Sequence, residues 1–445
     1  MCSVLANNQP KALRVAVETL GCRSNYADSV SLQAALLERG AVTCGFDSVA
    51  DVYVLNTCTI TDAADREAMK IVRQVRARAP HAKVVLTGCL AQSRRAALEG
   101  YPGIDAVVGL SSKSEILAVI LGVNDAGGEP ETEPIVQLAS LKSPISHQIA
   151  GPSRTMGEIA TRARYHLRIQ DGCRNCCTYC IIPQIKNELS SRSAEDVLDD
   201  IRYLASVGYR EIVLTGTHLG AYGEERGSSL MELLSLLAGK SAVRRIRISS
   251  LDPNELCPEV IDLIAENELF CAHLHVCIQS FSDSVLKRMN RRYRMEDVRE
   301  ILWYINNKLP RCCIGSDVIT GFPGESRQEV DKAIEEFLGL PISYLHVFPY
   351  SERAGTPALR LKDSVPVVER RRRAALWRKH GEARRRDFLQ GCAGRELEII
   401  AERAVGGAIY GTSREYAPVK LPLPKGSNNV FAGYPAVGAT AIVRA

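Results

Sequence analysis

Apolar runs rich in β-branched residues alternate with helical patterns through the first third of the chain. The runs cover residues 13–22, 51–58 and 83–89, and the helical patterns cover residues 29–38 and 63–78. Short apolar runs of this kind are typical of buried strands, and apolar residues spaced three or four apart are typical of helices. Their alternation predicts an α/β domain with a parallel sheet and helical crossovers.

A cysteine closes each of these predicted strands, namely Cys22, Cys58 and Cys89. Parallel strands joined by helices all end at one edge of their sheet, and ligands bind at that edge. One such cysteine alone would be interpreted as a small buried side chain. Three cysteines at the same strand-end position instead predict a shared metal site.

The middle of the chain repeats the alternation of strands and amphipathic helices. Glycine- and proline-rich residues 121–158 precede it and are expected to form a linker. Six βα units follow, fewer than the eight that close a barrel, and their functional groups are expected at the C-terminal ends of the strands. The strand-like runs are residues 165–169, 211–215, 244–249, 273–278, 312–318 and 343–348.

Four cysteines fall within eight positions directly after the first of these runs: Cys173, Cys176, Cys177 and Cys180. In a chain without a secretory signal, such density favours iron–sulfur or zinc over disulfides. Two frames of three cysteines fit, one using Cys177 and the other using Cys176, and spacing alone does not choose between them. A structural site with all four cysteines is a further alternative.

The composition indicates the class of protein and its location in the cell, but not its reaction. The chain has 445 residues, of which 46% are hydrophobic and 24% are charged, as is usual for globular proteins. It shows no apolar run long enough to span a bilayer and no signal-peptide pattern, so a cytoplasmic location is expected. Fifteen cysteines fit a reducing compartment. The net charge of +5 is too small to indicate nucleic-acid binding by itself, so only local clusters of basic residues could indicate it.

The last part of the chain combines a basic segment with alternating strands. Residues 369–388 are dominated by arginine and lysine, so either a phosphate-bearing partner or a solvated helix face is expected. Residues 395–444 contain alternating apolar runs separated by glycine and proline, a pattern that predicts a small antiparallel β-barrel.

The cysteine loop resembles the Cx3CxφC motif of radical S-adenosylmethionine (SAM) enzymes, with Tyr179 as the aromatic residue before the last cysteine. The resemblance selects Cys173, Cys177 and Cys180 as ligands of a 4Fe-4S cluster. It leaves one iron to chelate the methionine end of SAM, and it implies a partial barrel open on one side.

The three N-terminal motifs resemble those of the methylthiotransferase family. They are residues 20–25 (LGCRSN), 56–61 (NTCTIT) and 87–92 (TGCLAQ). This resemblance implies that Cys22, Cys58 and Cys89 hold an auxiliary 4Fe-4S cluster that carries the sulfur to be transferred. It also implies that the C-terminal barrel is a TRAM domain, which binds RNA.

The same resemblance implies contacts to SAM from residues at strand ends. Those contacts are expected from Tyr179, Thr215, Gly216, Ser250 and Asp317. No side-chain acid or nucleophile is required, so no catalytic residue beyond the cluster ligands is predicted.

Two departures from the family pattern are expected to reshape the pocket wall. Lys186 and Asn187 stand where an Arg-Gly pair is usual, and Phe281 stands where glycine is usual.

The predicted function is methylthio transfer to C2 of N6-threonylcarbamoyladenosine at position 37 of tRNA. Residues 56–61, 64–66 and 214–223 resemble the threonylcarbamoyl branch most closely. Alternatives are the isopentenyladenosine branch, the branch that modifies an aspartate of a ribosomal protein, and a non-enzymatic RNA-binding protein with structural clusters.

Partners would be tRNA, a reductant such as flavodoxin or ferredoxin, and a sulfur donor that the sequence does not identify. The predicted domains are residues 11–120 (auxiliary cluster), 121–158 (linker), 159–375 (radical SAM core) and 376–445 (basic helix and TRAM).

Overall fold

The chain divides into two units, Met1–Ile159 and Ala160–Ala445. The computed structural model describes residues 12–110, 113–122, 163–422 and 440–444. Most of the predicted linker therefore lies outside the described residues.

A five-stranded parallel sheet forms the first unit, in the order β2-β1-β3-β4-β5. Its central strand β3 is buried along its whole length, which explains the uninterrupted apolar run in the sequence. The strands are β1 (Arg14–Thr19), β2 (Val42–Cys44), β3 (Val52–Thr57), β4 (Lys83–Gly88) and β5 (Ala106–Val107).

Helices cover both faces of this sheet. Val72 and Val75 pack on one face with Leu55, and Leu36 and Ile116 pack on the other face within a second apolar cluster. The helices are α1 (Arg23–Leu37), α2 (Asp62–Arg78), α3 (Cys89–Ser93), α4 (Arg95–Leu98) and α5 (Lys113–Leu121).

Helix α1 begins six residues before the predicted start at Ser29. The hydroxyl of Ser29 does not cap the helix. It accepts hydrogen bonds from Thr19 Oγ1 at 2.7 Å and from Asn56 Nδ2 at 3.0 Å, and thereby ties the helix to the ends of β1 and β3.

Six parallel strands form the partial barrel of the second unit, as predicted, together with one more short parallel strand and one short antiparallel strand. They belong to two sheets, β7-β6-β8-β9 and β10-β11-β12-β13, which a parallel bridge between Ile246 and Phe270 connects. Within the described residues the outer strands β7 and β13 pair on one side only, so the barrel is open. The strands are β6 (Arg164–Asp171), β7 (Ser190–Ser191), β8 (Glu211–Gly216), β9 (Arg245–Ile248), β10 (Ser250–Leu251), β11 (His273–Gln279), β12 (Cys313–Thr320) and β13 (Tyr344–Pro349).

The barrel helices follow the predicted amphipathic patterns. Ser193 and Ser326 cap two of them by accepting the backbone N–H groups of Asp196 and Glu329. The helices are α6 (Ile182–Ile185), α7 (Ala194–Ser206), α8 (Leu230–Lys240), α9 (Pro258–Glu266), α10 (Asp283–Arg288), α11 (Met295–Lys308), α12 (Arg327–Leu338) and α13 (Val367–Cys392). The predicted boundary between residues 375 and 376 falls inside α13.

An antiparallel sheet completes the chain, in the order β16-β15-β14-β17. Its strands are β14 (Glu396–Val405), β15 (Ala408–Ser413), β16 (Pro418–Pro422) and β17 (Thr440–Arg444).

This sheet packs against the N-terminal ends of the barrel strands. Arg245 Nη1 donates to the carbonyl of Glu398 at 3.0 Å, and Arg247 Nη2 donates to the carbonyl of Ser413 at 3.1 Å. The ring of Tyr416 stacks on His273, with centroids 4.2 Å apart. The opposite end of the barrel, where the cysteine loop lies, makes none of these contacts.

Candidate functional site

In the first unit, the three predicted cysteines follow three neighbouring strands. Cys22 follows β1 and stands directly before α1, Cys58 follows β3, and Cys89 opens α3 directly after β4. Because β1, β3 and β4 are adjacent and parallel, their C-terminal ends share one edge, as predicted from the sequence. A Cβ atom at Gly21 would lie 2.8 Å from Cys58 Sγ, so the segment that carries Cys22 runs directly beside Cys58.

Two buried asparagines hold this edge together. Asn25 Nδ2 donates to the carbonyls of Leu20 at 3.0 Å and Thr57 at 3.1 Å, and Asn56 Nδ2 donates to the carbonyl of Asn25 at 2.8 Å. The backbone N–H of Ile60 donates to Cys58 Sγ at 3.5 Å, a contact typical of iron–sulfur ligands. The strand ends are thus fixed by side chains that are not themselves ligands.

In the second unit, the cysteine loop leaves β6 through a tight turn at Gly172. Gly172 has φ +86°, and a Cβ atom there would lie 1.8 Å from the carbonyl oxygen of Glu188, so only glycine fits. The N–H of Cys173 then donates to the carbonyl of Lys186 at 2.8 Å. Thr178 anchors the middle of the loop, because its hydroxyl donates to the carbonyl of Arg288 at 2.8 Å.

Exposure separates the two cysteine frames that spacing left open. Cys176 is exposed and its thiol lies 3.7 Å from the carbonyl of Arg174, whereas Cys177 is buried. Burial raises the pKa of the Cys180 thiol to about 12, and the nearby thiols of Cys177 and Cys173 raise it as well. The geometry therefore favours Cys173, Cys177 and Cys180 as one group.

Thiols are the side chains that hold iron–sulfur clusters, so the donor type of both cysteine sets fits the predicted clusters. Among the described residues, the groups whose ligand atoms all lie within 4.8 Å of one another are His275 with Asp317 and His346, and His218 with Asp252 and Glu255. Neither three-cysteine set is such a group.

Arg291 contacts the cysteine loop, and the sequence did not reveal this contact. Its Nη1 donates to Cys177 Sγ at 3.3 Å, while its Nη2 contacts the carboxylate of Asp252 and donates to the carbonyl of Cys277 at 3.0 Å. It lies twelve residues after the end of β11 and three residues after α10, so neither its spacing from the cysteines nor a strand-end position marked it.

His218 lies beside the same loop. Its Nε2 contacts the carboxylate of Glu255 and lies 3.1 Å from Asn175 Nδ2. Burial lowers the pKa of His218, but hydrogen bonds with the Cys173 thiol and the Glu255 carboxylate outweigh that effect and raise the pKa to about 10.

The residues predicted to contact SAM lie at several places around the barrel. Tyr179 meets Phe322 edge to face within an apolar cluster, and Ser250 is exposed in β10. Thr215 and Gly216 end β8, but the Thr215 hydroxyl is buried and donates to the carbonyl of Leu167 at 3.2 Å. The Thr215 hydroxyl is thus already engaged as a donor between β8 and β6.

Asp317 is held by two imidazoles. Its Oδ1 lies 3.0 Å from His275 Nε2 and 3.3 Å from His346 Nδ1. Burial raises the pKa of Asp317, but these two histidines outweigh it and bring the pKa well below the ordinary range.

The two departures from the family pattern are accommodated by packing. Lys186 Nζ donates to both carboxylate oxygens of Asp171, at 3.0 and 3.2 Å. The buried ring of Phe281 stacks on Trp377 at 5.4 Å and meets Phe337 at 5.4 Å, so it belongs to an aromatic cluster with α12 and α13.

The basic segment is partly structural. Arg370 and Arg373 of α13 are buried, and Arg373 Nη1 lies 2.8 Å from the Glu325 carboxylate. These two residues of the basic segment therefore neither form a solvated face nor present their charge to a phosphate-bearing partner. Exposed basic residues on the same helix include Arg371, Lys379 and Arg386.

No described helix combines the length and the apolar character needed to cross a membrane.

Two family models match the chain. Residues 14–109 match the uncharacterized protein family UPF0004, and residues 167–337 match the radical SAM superfamily. The first match covers the sheet with Cys22, Cys58 and Cys89, and the second begins in β6 and covers the loop with Cys173, Cys177 and Cys180.

Named relatives cover most of the chain. Threonylcarbamoyladenosine tRNA methylthiotransferase MtaB of Bacillus subtilis (strain 168) is 36% identical over 88% of this chain and 85% of that protein. The protein of the same name from Aquifex aeolicus (strain VF5) is 34% identical over 87% and 92%. The tRNA-2-methylthio-N(6)-dimethylallyladenosine synthase of Desulfosudis oleivorans (strain DSM 6200 / JCM 39069 / Hxd3) is 31% identical over 81% and 76%.

A solved structure shares the fold. The radical S-adenosylmethionine methyltransferase TsrM from Kitasatospora setae, with cobalamin and a 4Fe-4S cluster bound, matches with a TM-score of 0.51 and 15% identity. The match covers 94% of this chain and 84% of that chain. At this identity the likeness shows the fold alone.

Proposed function

Because the chain belongs to the family of radical SAM methylthiotransferases, we propose that it transfers a methylthio group to C2 of N6-threonylcarbamoyladenosine at position 37 of tRNA. The observation that carries the proposal is the presence of two separate three-cysteine sets, one at the C-terminal ends of three parallel strands and the other in the loop after β6. The substrate follows from the relatives at 36% and 34% identity, both named for threonylcarbamoyladenosine.

The proposal gives each cysteine set a different cluster. Cys22, Cys58 and Cys89 would hold the auxiliary 4Fe-4S cluster, and Cys173, Cys177 and Cys180 would hold the cluster that binds SAM. When bound, the clusters and SAM supply one-electron cleavage of SAM and a sulfur atom for transfer. The clusters' ligands are the only side chains to which we assign a chemical role.

The remaining residues bind and orient. Gly172 and Thr178 fix the loop that carries Cys173, Cys177 and Cys180. We propose that Tyr179, Thr215, Gly216, Ser250 and Asp317 line the SAM site.

The partners follow from the reaction. A tRNA substrate would contact the C-terminal region, residues 376–445, where exposed basic residues of α13 adjoin the antiparallel sheet. A protein such as flavodoxin or ferredoxin would supply electrons, and a separate donor would supply sulfur. Both iron–sulfur clusters and a tRNA substrate are consistent with a cytoplasmic location.

Nucleoside mass spectrometry tests this proposal. The chain is expressed in a host that lacks tRNA methylthio modification but makes N6-threonylcarbamoyladenosine, beside Cys173→Ala and Cys58→Ala variants. The intact chain should yield the 2-methylthio derivative of that nucleoside, and both variants should yield none. In the purified proteins, Cys58→Ala should still cleave SAM to 5′-deoxyadenosine, whereas Cys173→Ala should not.

A second substrate is favoured by one comparison, the Desulfosudis oleivorans relative named for dimethylallyladenosine. The same measurement decides between them when the host also contains isopentenyladenosine. Methylthiolation of isopentenyladenosine alone would overturn the threonylcarbamoyladenosine proposal and leave the class of enzyme intact. Folded, iron-loaded protein that modifies neither nucleoside would contradict both.

A further inference from the structure

We propose that Arg291 and Asp252 act as an opposed charge pair that sets the reduction potential of the cluster held by Cys173, Cys177 and Cys180. The inference rests on the ligand set given under the proposed function. It assigns a positioning role to two residues that lie far from the cysteine loop in sequence but contact it in space.

Arg291 is held in one place by partners on three sides. Nη2 contacts Asp252 and the Cys277 carbonyl, Nε donates to the Tyr293 hydroxyl at 2.7 Å, and the guanidinium lies 4.9 Å from the centre of the Tyr293 ring. Tyr293 is itself fixed, since its hydroxyl lies 2.8 Å from the carbonyls of Cys277 and Ile278. The side chain of Arg291 is only 6% exposed.

The remaining nitrogen of the fork points at a ligand. Arg291 Nη1 lies 3.3 Å from the sulfur of Cys177, which is also buried. Asp252 also contacts the loop, because Asn175 Nδ2 donates to its Oδ2 at 3.3 Å. The pair therefore places one positive and one negative side chain against the segment that carries the cluster.

The two charges act on the cluster in opposite directions. One electron added by an external reductant gives the reduced cluster one more negative charge. A guanidinium that donates to a ligand sulfur stabilises that charge, while a carboxylate destabilises it. Because both groups are largely buried, water screens them weakly. Arg291 therefore raises the reduction potential of the cluster, and Asp252 lowers it.

A purely structural role predicts a different result. If Arg291 only clamps the loop, then losing either partner loosens the same contact, and both losses disturb the cluster in the same sense. If the charges act on the cluster, then removing Arg291 and removing Asp252 shift its potential in opposite senses. The sign of the shift separates the two interpretations.

The experiment is a redox titration of the reconstituted full-length protein without SAM, followed by electron paramagnetic resonance. Dithionite supplies the electrons, and the signal absent from Cys173→Ala identifies the cluster of interest. The variants are Arg291→Gln, Arg291→Lys and Asp252→Asn. Arg292→Gln is the matched control, because it removes the same charge from the adjacent residue, which is not buried.

We expect a lower midpoint potential in Arg291→Gln, a higher one in Asp252→Asn and an unchanged one in Arg292→Gln. Arg291→Lys should fall between the wild type and Arg291→Gln, because lysine keeps the charge but not the fork. The auxiliary cluster, whose proposed ligands belong to the first unit, serves as the internal control in every sample.

Each outcome decides the matter. Shifts of the same sign in Arg291→Gln and Asp252→Asn, or no shift in either, would overturn the inference and leave the ligand set standing. If Arg291→Gln fails to bind a cluster, Arg291→Lys and Asp252→Asn decide the question: the inference requires a lower midpoint potential in the first and a higher one in the second. Signals that all persist in Cys173→Ala would overturn the ligand set itself, and the inference with it.

Discussion

The two ends of the partial barrel use arginine and carboxylate side chains for opposite purposes. At the N-terminal end, Glu211 lies between Arg245 and Arg247, fully buried, and the arginine donors left over bind backbone carbonyls of the C-terminal sheet. At the C-terminal end, Arg291 pairs with Asp252 but directs a donor at Cys177. At the N-terminal end, all of these charged groups bind other parts of the fold. At the C-terminal end, Arg291 keeps one donor for Cys177, a proposed cluster ligand.

The comparison predicts that changes at the C-terminal end reduce activity and changes at the N-terminal end reduce stability. The largest expected effect is the loss of activity in Cys173→Ala. Activity should fall to background, because the remaining cysteines of the loop cannot replace a cluster ligand. Unfolding of the cluster-free protein by denaturant should be unchanged within about 0.5 kcal/mol. Wild-type protein stripped of iron is the control, and a large loss of stability in the variant would break the comparison.

Glu211→Gln should show the reverse. Breaking a buried ion pair leaves two uncompensated guanidinium groups, so the free energy of unfolding should fall by about 3–5 kcal/mol. Production of 5′-deoxyadenosine per bound iron, measured on protein that remains folded, should be unchanged. A variant with normal stability and impaired SAM cleavage would show that the two ends are not separable in this way.

Two glycines with positive φ, Gly172 at the C-terminal end of the barrel and Gly208 at the N-terminal end, test the difference between the two ends. Gly172→Ala should cost about 3 kcal/mol or more and reduce iron binding, because its Cβ would collide with the Glu188 carbonyl. Gly208, which precedes β8 at the other end, has φ +102°, but an added methyl group there would meet no atom within 4 Å. Gly208→Ala is thus the matched control and should cost about 1 kcal/mol with no loss of iron. Denaturant unfolding and iron content measure both.

Acid titration gives the smallest expected effect. Burial raises the pKa of Glu211, but Arg247 and Arg245 outweigh it and lower the pKa to about 2. A carboxyl with a lowered folded pKa stabilises the protein above its unfolded pKa, and this contribution disappears as the pH falls toward 2. The stability difference between cluster-free wild type and Glu211→Gln should therefore shrink by about 2–3 kcal/mol between pH 5 and pH 2. A constant difference would contradict the assignment.

The sequence predicted the elements of the fold and the strand-end position of the first cysteine set. Strands buried on both faces, such as β3, give an unbroken apolar run that ends where the strand ends, so the position of Cys58 could be read directly. The start of α1 could not. The helical pattern begins at Ser29 in the sequence, but the helix begins at Arg23 and the Ser29 hydroxyl bonds across to β1 and β3, and such contacts depend on the tertiary fold.

The same limit applies to the site. Spacing did not choose between Cys176 and Cys177, because the direction of a side chain in a loop depends on its anchors. Arg291 acts on a cysteine 114 residues away in sequence, so no local pattern encodes the contact. The charge count of α13 likewise did not reveal that Arg370 and Arg373 point inward.

The contacts between Arg245, Arg247 and the C-terminal sheet have a consequence for how this chain can diverge. The acceptors are the backbone carbonyls of Glu398, Thr412, Ser413 and Arg414, not their side chains. Any sequence that keeps the backbone in place satisfies the two arginines. The side chains on the rest of this sheet are therefore free to change, while its contacts with the barrel stay the same.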